Sequence, residues 1–260
     1  MAAGTVALAG GCASGGSTGP DATSVTSTHP TSTPQVTTTA TATPTASPRP
    51  LPECEYLDEP VLGDPARDWA TLVLDTVFTL PEDFEPERLV GTRRAGLNGG
   101  FQVSRAMLDD LTAMATAARD DGAALAVQSA YRSHAYQVRT YQGWVDQSSE
   151  EEARKVSARP GHSEHQLGTG IDLRSADDPT PPWALDDFAT TRAGAWLAEH
   201  AWEHGFVMSY PKGKRGETCY AYEPWHYRYV GRDVAAAIHE SGLTPRRYLW
   251  ETYWATPSGG

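Results

Sequence analysis

The sequence predicts an α+β fold in one domain that follows a disordered tether. Segments with helical periodicity alternate with a few short apolar runs typical of strands, and these runs lack the regular spacing of βαβ units. The tether is indicated by the first 52 residues, which carry only Asp21 and Arg49 as charged side chains and contain no Phe, Trp or Tyr. We therefore divide the chain into residues 1–12, 13–52 and 53–260.

The net charge of the chain excludes one class of partner. The 260 residues carry a formal charge of −12, and all of the acidic excess lies after residue 52. Such a surface repels phosphate backbones, so we expect no nucleic-acid partner. With 39% apolar residues, the part after the tether can bury one sizeable core. We expect it to be a monomer.

Residues 1–12 form a short apolar run that ends in small residues and Cys12. This run resembles the tail of a bacterial lipoprotein signal, although it lacks a Lys or Arg at its start. The resemblance implies a lipid anchor on Cys12 and export to the outer face of the cytoplasmic membrane or the cell wall. An uncleaved disordered tail is the alternative. The run is far shorter than the roughly 20 residues that a membrane span needs.

Residues 13–52 are dominated by three residue types, because 25 of the 40 are Ser, Thr or Pro. A segment of this composition cannot bury enough apolar area to offset its chain entropy, so it predicts a flexible linker.

The first elements of the domain follow from periodicity and capping residues. Residues 71–79 predict a strand or an extended arm. Apolar residues then recur at helical spacing between Ser104, a good N-cap, and Gly122, a stop signal. Residues 125–130 predict a buried strand, which leads into a helix that ends near Gln147.

The later elements are predicted by the same rules. Thr244 with Pro245 after it is a typical helix start. In chain order we expect a short acidic helix at 150–156, a strand that carries Asp172, a helix at 191–204 ended by Gly205, a strand at 206–210, a turn at 212–217, a strand at 223–229, a helix at 232–241 and a last helix from Pro245.

Residues 159–173 concentrate histidines, acids and glycines in a segment too irregular for a helix. His165 and Asp172 are separated by Gly168 and Gly170, which permit the backbone angles of a tight reversal. A loop histidine and a strand carboxylate can therefore face each other, as two ligands of a metal ion must. Taken alone, this spacing is more typical of a polar surface loop with a capping histidine.

A second cluster, at residues 222–229, supplies the groups that the first lacks. His226 adds a second imidazole to His165 and Asp172, and Glu223 is left over as a base. Two histidines and one carboxylate, with a fourth coordination position left open, is the composition of a catalytic zinc site.

These two clusters resemble the motifs of the VanY-type D-alanyl-D-alanine carboxypeptidases, in the hedgehog/DD-peptidase superfamily. The resemblance extends over residues 72–249. The motif Ser-x-His-x-x-Gly-x-x-x-Asp is matched by Ser163, His165, Gly168 and Asp172, and the motif Glu-x-x-His by Glu223 and His226.

The resemblance implies a Zn²⁺ peptidase that removes the C-terminal D-alanine from peptidoglycan stem peptides. Zinc ligands would be His165, Asp172 and His226, and Glu223 would be the general base. The resemblance also implies that Arg132 lies over the site, where its planar fork suits a carboxylate or an oxyanion.

Gln137 and Ser163 are candidates for holding the C-terminal end of the substrate. His162 is a loop-fixing or substrate-side group in this interpretation. Trp225 and Tyr227 are expected in the core. Two other functions stay open, an L,D-carboxypeptidase acting on the tetrapeptide stem and a non-catalytic metal-containing wall-binding module. The presence of Glu223 favours an enzyme.

Two rival motifs compete with this site. His200 and His204 fit the His-x-x-Glu-His pattern of zinc proteases, but the same helix carries packing residues and no third ligand segment is evident. Ser209 and Lys212 fit Ser-x-x-Lys of serine peptidases, but Pro211 disfavours a helical residue before it.

Cys54 and Cys219 remain once Cys12 is assigned to lipid. In an exported protein, two cysteines in the folded part predict a disulfide, and free buried thiols are the alternative.

Overall fold

The fold combines seven α-helices and eight short strands within residues 48–256, the part of the chain that a computed structural model describes. The helices are α1 Leu108–Asp120, α2 His134–Gln147, α3 Glu150–Val156, α4 Arg192–His200, α5 Arg215–Thr218, α6 Arg232–Ser241 and α7 Pro245–Leu249. The strands are β1 Glu59–Pro60, β2 Phe78–Thr79, β3 Leu89–Gly91, β4 Gln102–Ser104, β5 Leu125–Ser129, β6 Gly170–Ser175, β7 Phe206–Met208 and β8 His226–Tyr229. The predicted α+β class is confirmed.

Four of the strands form the central sheet, in the order β5-β6-β8-β7, and all of its pairs are antiparallel. Side chains alternate between the two faces of a strand. Ile171, Leu173 and Tyr227 therefore point into the main core, where α1 and α4 cover the sheet. Asp172 and His226 point to the opposite face. The site is built on that second face.

The second core cluster lies around α6, α7 and the π-helical turn Trp250–Trp254. The start of the described chain packs here as well. The backbone N–H of Arg49 donates to the carbonyl of Ala255 (2.7 Å), and Trp250 Nε1 donates to the carbonyl of Arg49 (3.0 Å). The structured part thus reaches back to Arg49, a few residues before the predicted boundary at 53.

Several predicted elements differ in extent from the observed ones. Of residues 71–79, only Phe78 and Thr79 form a strand, because the rest runs as an irregular buried arm. The second half of the predicted turn at 212–217 belongs to the short helix α5, Arg215–Thr218. The last strand begins at His226 instead of 223, because Pro224 and Trp225 form a turn.

Predictions for residues 1–12 and for most of 13–52 lie outside the described residues. Within 48–256, no helix combines the length and the apolar character that crossing a bilayer requires.

The predicted disulfide is confirmed, because Cys54 and Cys219 are bonded across a sequence separation of 165 residues. Cys219 has a φ of 71°, a left-handed conformation that no other non-glycine residue adopts in the described part of the chain. The bond ties the start of the domain to the segment that leads into Glu223.

Candidate active site

His165 is held in a 3₁₀ turn, Glu164–Leu167, that ends at Gly168. Gly168 has a φ of 71°, which favours glycine. At Gly170 a Cβ atom would lie 2.9 Å from the backbone carbon of Glu164, so only glycine lets β6 start this close to the turn. The two glycines of the motif thereby bring a loop histidine next to a strand.

Asp172 and His226 are directly opposite each other on β6 and β8. Asp172 Oδ1 lies 2.9 Å from Nδ1 of His226, and its Oδ2 lies 3.3 Å from Nε2 of His165. Each of these three buried residues offers one potential ligand atom, and the three atoms lie within 4.8 Å of one another. Two imidazoles and one carboxylate fit a catalytic zinc ion, with a coordination position left for water or substrate.

The hydrogen bonds of His165 fix which of its nitrogens can bind a metal. Its Nδ1–H donates to the backbone carbonyl of Ala130 at 2.7 Å, and a carbonyl can only accept. Nε2 therefore keeps its lone pair and faces Asp172. Burial, followed by the charge of Arg132, lowers the pKa of His165 to about 4. The imidazole is neutral, as a metal ligand must be.

His226 has the opposite environment, between two carboxylates. Burial alone would lower its pKa, but hydrogen bonds to Asp172 and Glu164 raise the pKa to about 10. Burial would likewise raise the pKa of Asp172, yet His165 and His226 hold the pKa of this carboxyl well below its usual range. The metal-free cluster therefore carries a proton on His226 that a bound metal must displace.

A β-turn explains the spacing of the Glu-x-x-His motif. The backbone N–H of His226 donates to the carbonyl of Glu223 at 3.1 Å, and Pro224 stands at the second turn position, where its fixed φ is favourable. This turn places Glu223 just before β8, close to His226, the potential metal ligand at the start of that strand. Burial, reinforced by the negative charge of Asp172, raises the pKa of Glu223 to about 7 despite the opposing effect of His226. A carboxyl group of this kind exchanges protons near neutral pH.

Arg132 follows β5 and is fixed by side chains on three sides. Its Nη1 donates to Ser129 Oγ (2.8 Å), its Nε to Gln137 Oε1 (2.9 Å) and its Nη2 to Ser163 Oγ (3.4 Å). Nη1 also lies 3.8 Å from Asp172 Oδ2. The structure thus brings Arg132 to the edge of the metal cluster.

The amide of Gln137 has no free group for a substrate. Gln137 is fully buried, and its Nε2 donates to the carbonyl of Ala158 (2.7 Å) and to Ser157 Oγ (3.4 Å), while its oxygen accepts from Arg132. It does not line the cavity that Arg132 and Ser163 line. This geometry favours orientation of Arg132 as the role of Gln137 over direct contact with the substrate.

Sequence reasoning missed Glu164, Ser209 and Arg228. Glu164 lies between Ser163 and His165 and is buried. Its carboxylate accepts from His226 Nε2 (2.9 Å), Ser209 Oγ (2.6 Å) and Arg228 Nη1 (3.2 Å). Burial would raise the pKa of Glu164, but the charge of Arg228 and the bonds from His226 and Ser209 lower it to about 2.

One signal in the sequence pointed to part of this network. His226 and Arg228 are two residues apart on a predicted strand and so share a face. An arginine on the face of a metal ligand needs a buried carboxylate nearby. Nothing in the sequence, however, identifies Glu164 as that partner, because the pairing depends on how the 3₁₀ turn lies against β8.

The rival motifs are not brought together as sites. His200 contacts Glu203 (3.4 Å), and among residues 48–256 the only group of potential metal ligands found is His165, Asp172 and His226. Ser209 is committed to Glu164, whereas Lys212 is exposed and pairs with Asp187 (3.2 Å). These geometries give neither rival a catalytic arrangement.

His162 fixes the loop. Its Nδ1–H donates to the carbonyl of Asp75 (2.7 Å), and its Nε2 lies 3.0 Å from Asp58 Oδ1. Tyr227 is buried in the core as predicted, but the prediction for Trp225 was incomplete, because Trp225 also lines the cavity.

The cluster opens into a cavity of about 840 Å³. Its charged side chains, apart from His165 and His226, are Arg132, Glu164, Asp172 and Glu223, and all four lie in or beside the group of potential metal ligands. The outer walls are uncharged and include four well-exposed apolar side chains, which are Tyr136, Trp144, Val156 and Trp183. An exposed apolar surface of this kind marks a binding site.

Fold and site together define a single domain with a candidate metal-dependent catalytic centre, in which three potential metal ligands, a carboxyl group and an arginine line one cavity. Comparison with known sequences gives the family. Residues 100–232 match the VanY family, described as D-alanyl-D-alanine carboxypeptidase, and the chain belongs to this family.

Individual relatives agree with this membership. The chain is 34% identical over 180 residues to the putative carboxypeptidase YodJ of Bacillus subtilis (strain 168), covering 66% of this chain and 64% of that relative. It thus matches somewhat less than two thirds of the length of this curated protein.

Two solved structures are similar over most of their length. The LdcB LD-carboxypeptidase is 32% identical with a TM-score of 0.61, covering 69% of this chain and 85% of that one. A mutant of the D,D-pentapeptidase VanY from a VanB-type resistance cassette, in complex with Zn(II), is 28% identical with a TM-score of 0.60, covering 70% and 99%.

Proposed function

We propose that the protein is a zinc-dependent D,D-carboxypeptidase that removes the C-terminal D-alanine from peptidoglycan stem peptides. One observation carries the proposal. Glu223 and Arg132 line the same cavity as the three potential ligands His165, Asp172 and His226. The family description and the zinc complex of the D,D-pentapeptidase VanY support the choice of reaction and metal.

Arg132 would bind the substrate before the reaction. It is the one cationic side chain other than histidine among the residues that line the cavity, and Gln137, Ser129 and Ser163 fix its planar fork. A fork held in this way suits the terminal carboxylate of a peptide, or the oxyanion that develops on the scissile carbonyl. The uncharged outer walls would accept the preceding residues of the stem.

The hydrolysis itself would depend on one proton carrier. When bound, zinc supplies a Lewis acid for the carbonyl and lowers the pKa of water. Glu223 would take a proton from the attacking water while the water oxygen forms a bond to the carbonyl carbon. It would then pass that proton to the amine nitrogen as the C–N bond breaks. A carboxyl group with a pKa raised to about 7 can perform both transfers near neutral pH.

An L,D-carboxypeptidase acting on the tetrapeptide stem is the second candidate, because the LdcB LD-carboxypeptidase is as similar in fold as VanY is. A non-catalytic wall-binding module is the weaker alternative. It would not need Glu223 beside the ligands with an elevated pKa.

We further propose that the protein acts as a monomer outside the cytoplasmic membrane. Cys12 would carry a lipid anchor and residues 13–52 would act as a tether into the cell wall. The Ser, Thr and Pro content of this segment supports the proposal, and so does the disulfide between Cys54 and Cys219, which is typical of an exported protein.

Incubation of the zinc-loaded protein with stem peptides ending in D-Ala-D-Ala and in L-Lys-D-Ala tests the reaction, with products identified by mass spectrometry. Loss of one alanine from the first peptide is the expected result. Cleavage of the second peptide alone would favour the L,D activity. Cleavage of neither, by a protein that binds zinc, would contradict an enzymatic role.

A further inference from the structure

Glu164 makes its contacts inside the protein, within a segment of three consecutive residues that each serve the site. Ser163 accepts a hydrogen bond from Arg132, and His165 is a potential ligand. Between them, the side chain of Glu164 turns inward and is 7% exposed. Although it lies at the base of the cavity, its carboxylate is occupied by hydrogen bonds from His226, Ser209 and Arg228.

The direction of the bond to His226 is fixed by chemistry. Both carboxylate oxygens of Glu164 already accept hydrogen bonds, Oε1 from Arg228 and Oε2 from Ser209, so Nε2 of His226 acts as the donor across the 2.9 Å to Oε2. The other ring nitrogen, Nδ1, then faces Asp172 at 2.9 Å. His165 has the reverse arrangement, because its Nδ1–H donates to Ala130 and its Nε2 faces Asp172.

We propose that Glu164 is a positioning residue that holds His226 with Nε2 protonated, so that a metal ion is bound through Nδ1 of His226 and Nε2 of His165. Metal-binding histidines are commonly oriented by a carboxylate on their second nitrogen, and loss of that carboxylate costs affinity for the metal. The inference rests on the proposed metal site, but it does not depend on the substrate.

The alternative is that Glu164 serves only to neutralise Arg228. Arg228 is 2% exposed, and its Nη2 donates to the carbonyl of Trp69 at 2.8 Å, so a buried arginine at this position needs a counter-ion. His226 and Arg228 lie on the same face of β8, and both reach Glu164. A single substitution of Glu164 would therefore break both contacts and could not separate the two roles.

Two variants of the full chain separate them. Arg228→Gln removes the buried cation and leaves the bond between Glu164 and His226. Glu164→Gln combined with Arg228→Gln removes the carboxylate in the same neutral background. A third variant, Ser209→Ala, removes only the hydroxyl that donates to Glu164. Zinc affinity would be measured by competition with a chelator in the absence of peptide, and folding of each metal-free variant by thermal unfolding.

We expect Arg228→Gln and Ser209→Ala to bind zinc within a few-fold of the wild-type protein. The double variant should bind zinc about 10- to 100-fold more weakly than Arg228→Gln, the range found when such a partner is lost. Near wild-type affinity in both Arg228→Gln and the double variant would assign Glu164 to charge neutralisation and would overturn the proposal. An Arg228→Gln protein as weak as the double variant would show that zinc affinity depends on the ion pair as a whole, and it would overturn the proposal too.

The wild-type protein provides a test that does not depend on the variants folding. With ¹⁵N-labelled histidine and bound zinc, long-range ¹H–¹⁵N correlations report which ring nitrogen carries the metal. We expect Nδ1 of His226 and Nε2 of His165. Zinc on Nε2 of His226 would overturn the proposal. A wild-type protein that binds no zinc would instead contradict the proposed metal site, so the two failures are distinguishable.

Discussion

Asp172 and His226 are paired across two neighbouring antiparallel strands, with 2.9 Å between Oδ1 of the carboxylate and Nδ1 of the imidazole. Two of the three potential metal ligands are therefore fixed by the register of the sheet. Only His165 is supplied by a loop, and the left-handed Gly168 and the close approach at Gly170 hold that loop against the sheet. A one-residue slip between β6 and β8 would separate the ligands, so metal binding depends on the same hydrogen bonds as the fold.

Substitution of Glu223 should separate metal binding from turnover. Glu223→Gln leaves His165, Asp172 and His226 in place, so the variant should still bind about one zinc ion per chain. Its kcat should fall by about 10² to 10⁴ or more, because both the general base and the proton donor for the leaving amine are lost. Metal content by plasma emission and turnover of a D-Ala-D-Ala peptide would be measured on the same samples.

The histidine variants give the contrast for this experiment. His165→Ala and His226→Ala should lose zinc and activity together, because two protein ligands hold the metal far more weakly than three. A His200→Ala and His204→Ala double variant should keep both. If the first two variants bound zinc normally and the double variant did not, the metal site would instead lie at His200 and His204.

The aromatic walls of the cavity predict a dependence on substrate length. Tyr136, Thr140 and Trp144 follow one another at four-residue spacing on α2, so Tyr136 and Trp144 are about 12 Å apart along the helix axis. An extended peptide covers this distance in about three to four residues. Arg132 precedes the start of α2, so a substrate that is held there and runs along this wall would need more than two residues to reach Trp144.

Trp144→Ala and Trp183→Ala should accordingly lower kcat/KM for a pentapeptide on the order of tenfold, in keeping with the loss of one aromatic contact. Hydrolysis of N-acetyl-D-Ala-D-Ala should hardly change. Val138→Ala is the matched control, because Val138 is exposed on the same helix but does not line the cavity. Equal losses on the long and the short substrate would contradict this use of the walls.

The sequence was sufficient where local chemistry decides the structure. The helices α3 and α6 were predicted with their observed ends, in keeping with the N-cap Ser149 that starts α3 and the left-handed Gly242 that ends α6. The Glu-x-x-His spacing was also singled out from the sequence. Its physical cause is a turn with Pro224 at the second position, and that cause is visible in the sequence once a turn is considered.

Contacts between distant segments could not be predicted in the same way. Nothing in the sequence singles out Glu164, because its contacts depend on a 3₁₀ turn that faces a strand 62 residues later. Gln137 was expected to help hold the C-terminal end of the substrate, whereas in the structure its amide oxygen accepts from Nε of Arg132. Only the tertiary structure shows that the buried amide of Gln137 is already hydrogen-bonded, through its oxygen to Arg132 and through its nitrogen to Ala158.

Removal of the disulfide should destabilise the domain and weaken the site. A bond between Cys54 and Cys219 closes a loop of 165 residues, for which the loop-entropy model gives up to about 5 kcal/mol. Cys54→Ser combined with Cys219→Ser should therefore lower the melting temperature markedly. Cys12→Ser is the control and should leave the melting temperature unchanged. Peptide mapping without reductant, on protein exported from its host, checks the pairing, and alkylation of both thiols there would contradict it.

The raised pKa of Glu223 predicts that this residue destabilises the metal-free fold at high pH. Its pKa rises from an ordinary 4.5 to about 7, chiefly because burial disfavours the charge. Between these values the folded protein binds more protons than the unfolded chain. The free energy of unfolding therefore falls as pH rises from about 4.5 to 7, and it stays lower above pH 7.

Glu223→Gln removes this penalty, so the metal-free variant should melt at a higher temperature than the metal-free wild type at pH 8. The gain should not exceed about 3 kcal/mol, the value that corresponds to the change in pKa. Near pH 4.5 the two proteins should melt at similar temperatures, because the wild-type carboxyl group is then protonated in the folded state. Melting curves across this range, after removal of metal by a chelator, give the comparison.

Zinc should abolish most of this gain, because a nearby divalent cation stabilises the ionised carboxylate and lowers the pKa of Glu223. Glu240→Gln is the matched control, since it removes one carboxylate from the exposed surface of α6. That variant should show little of the pH-dependent gain. A metal-free Glu223→Gln protein that is no more stable than the wild type at pH 8 would show that Glu223 is charged there without penalty. The raised pKa, and with it the ability of this carboxyl group to exchange protons at neutral pH, would then be wrong.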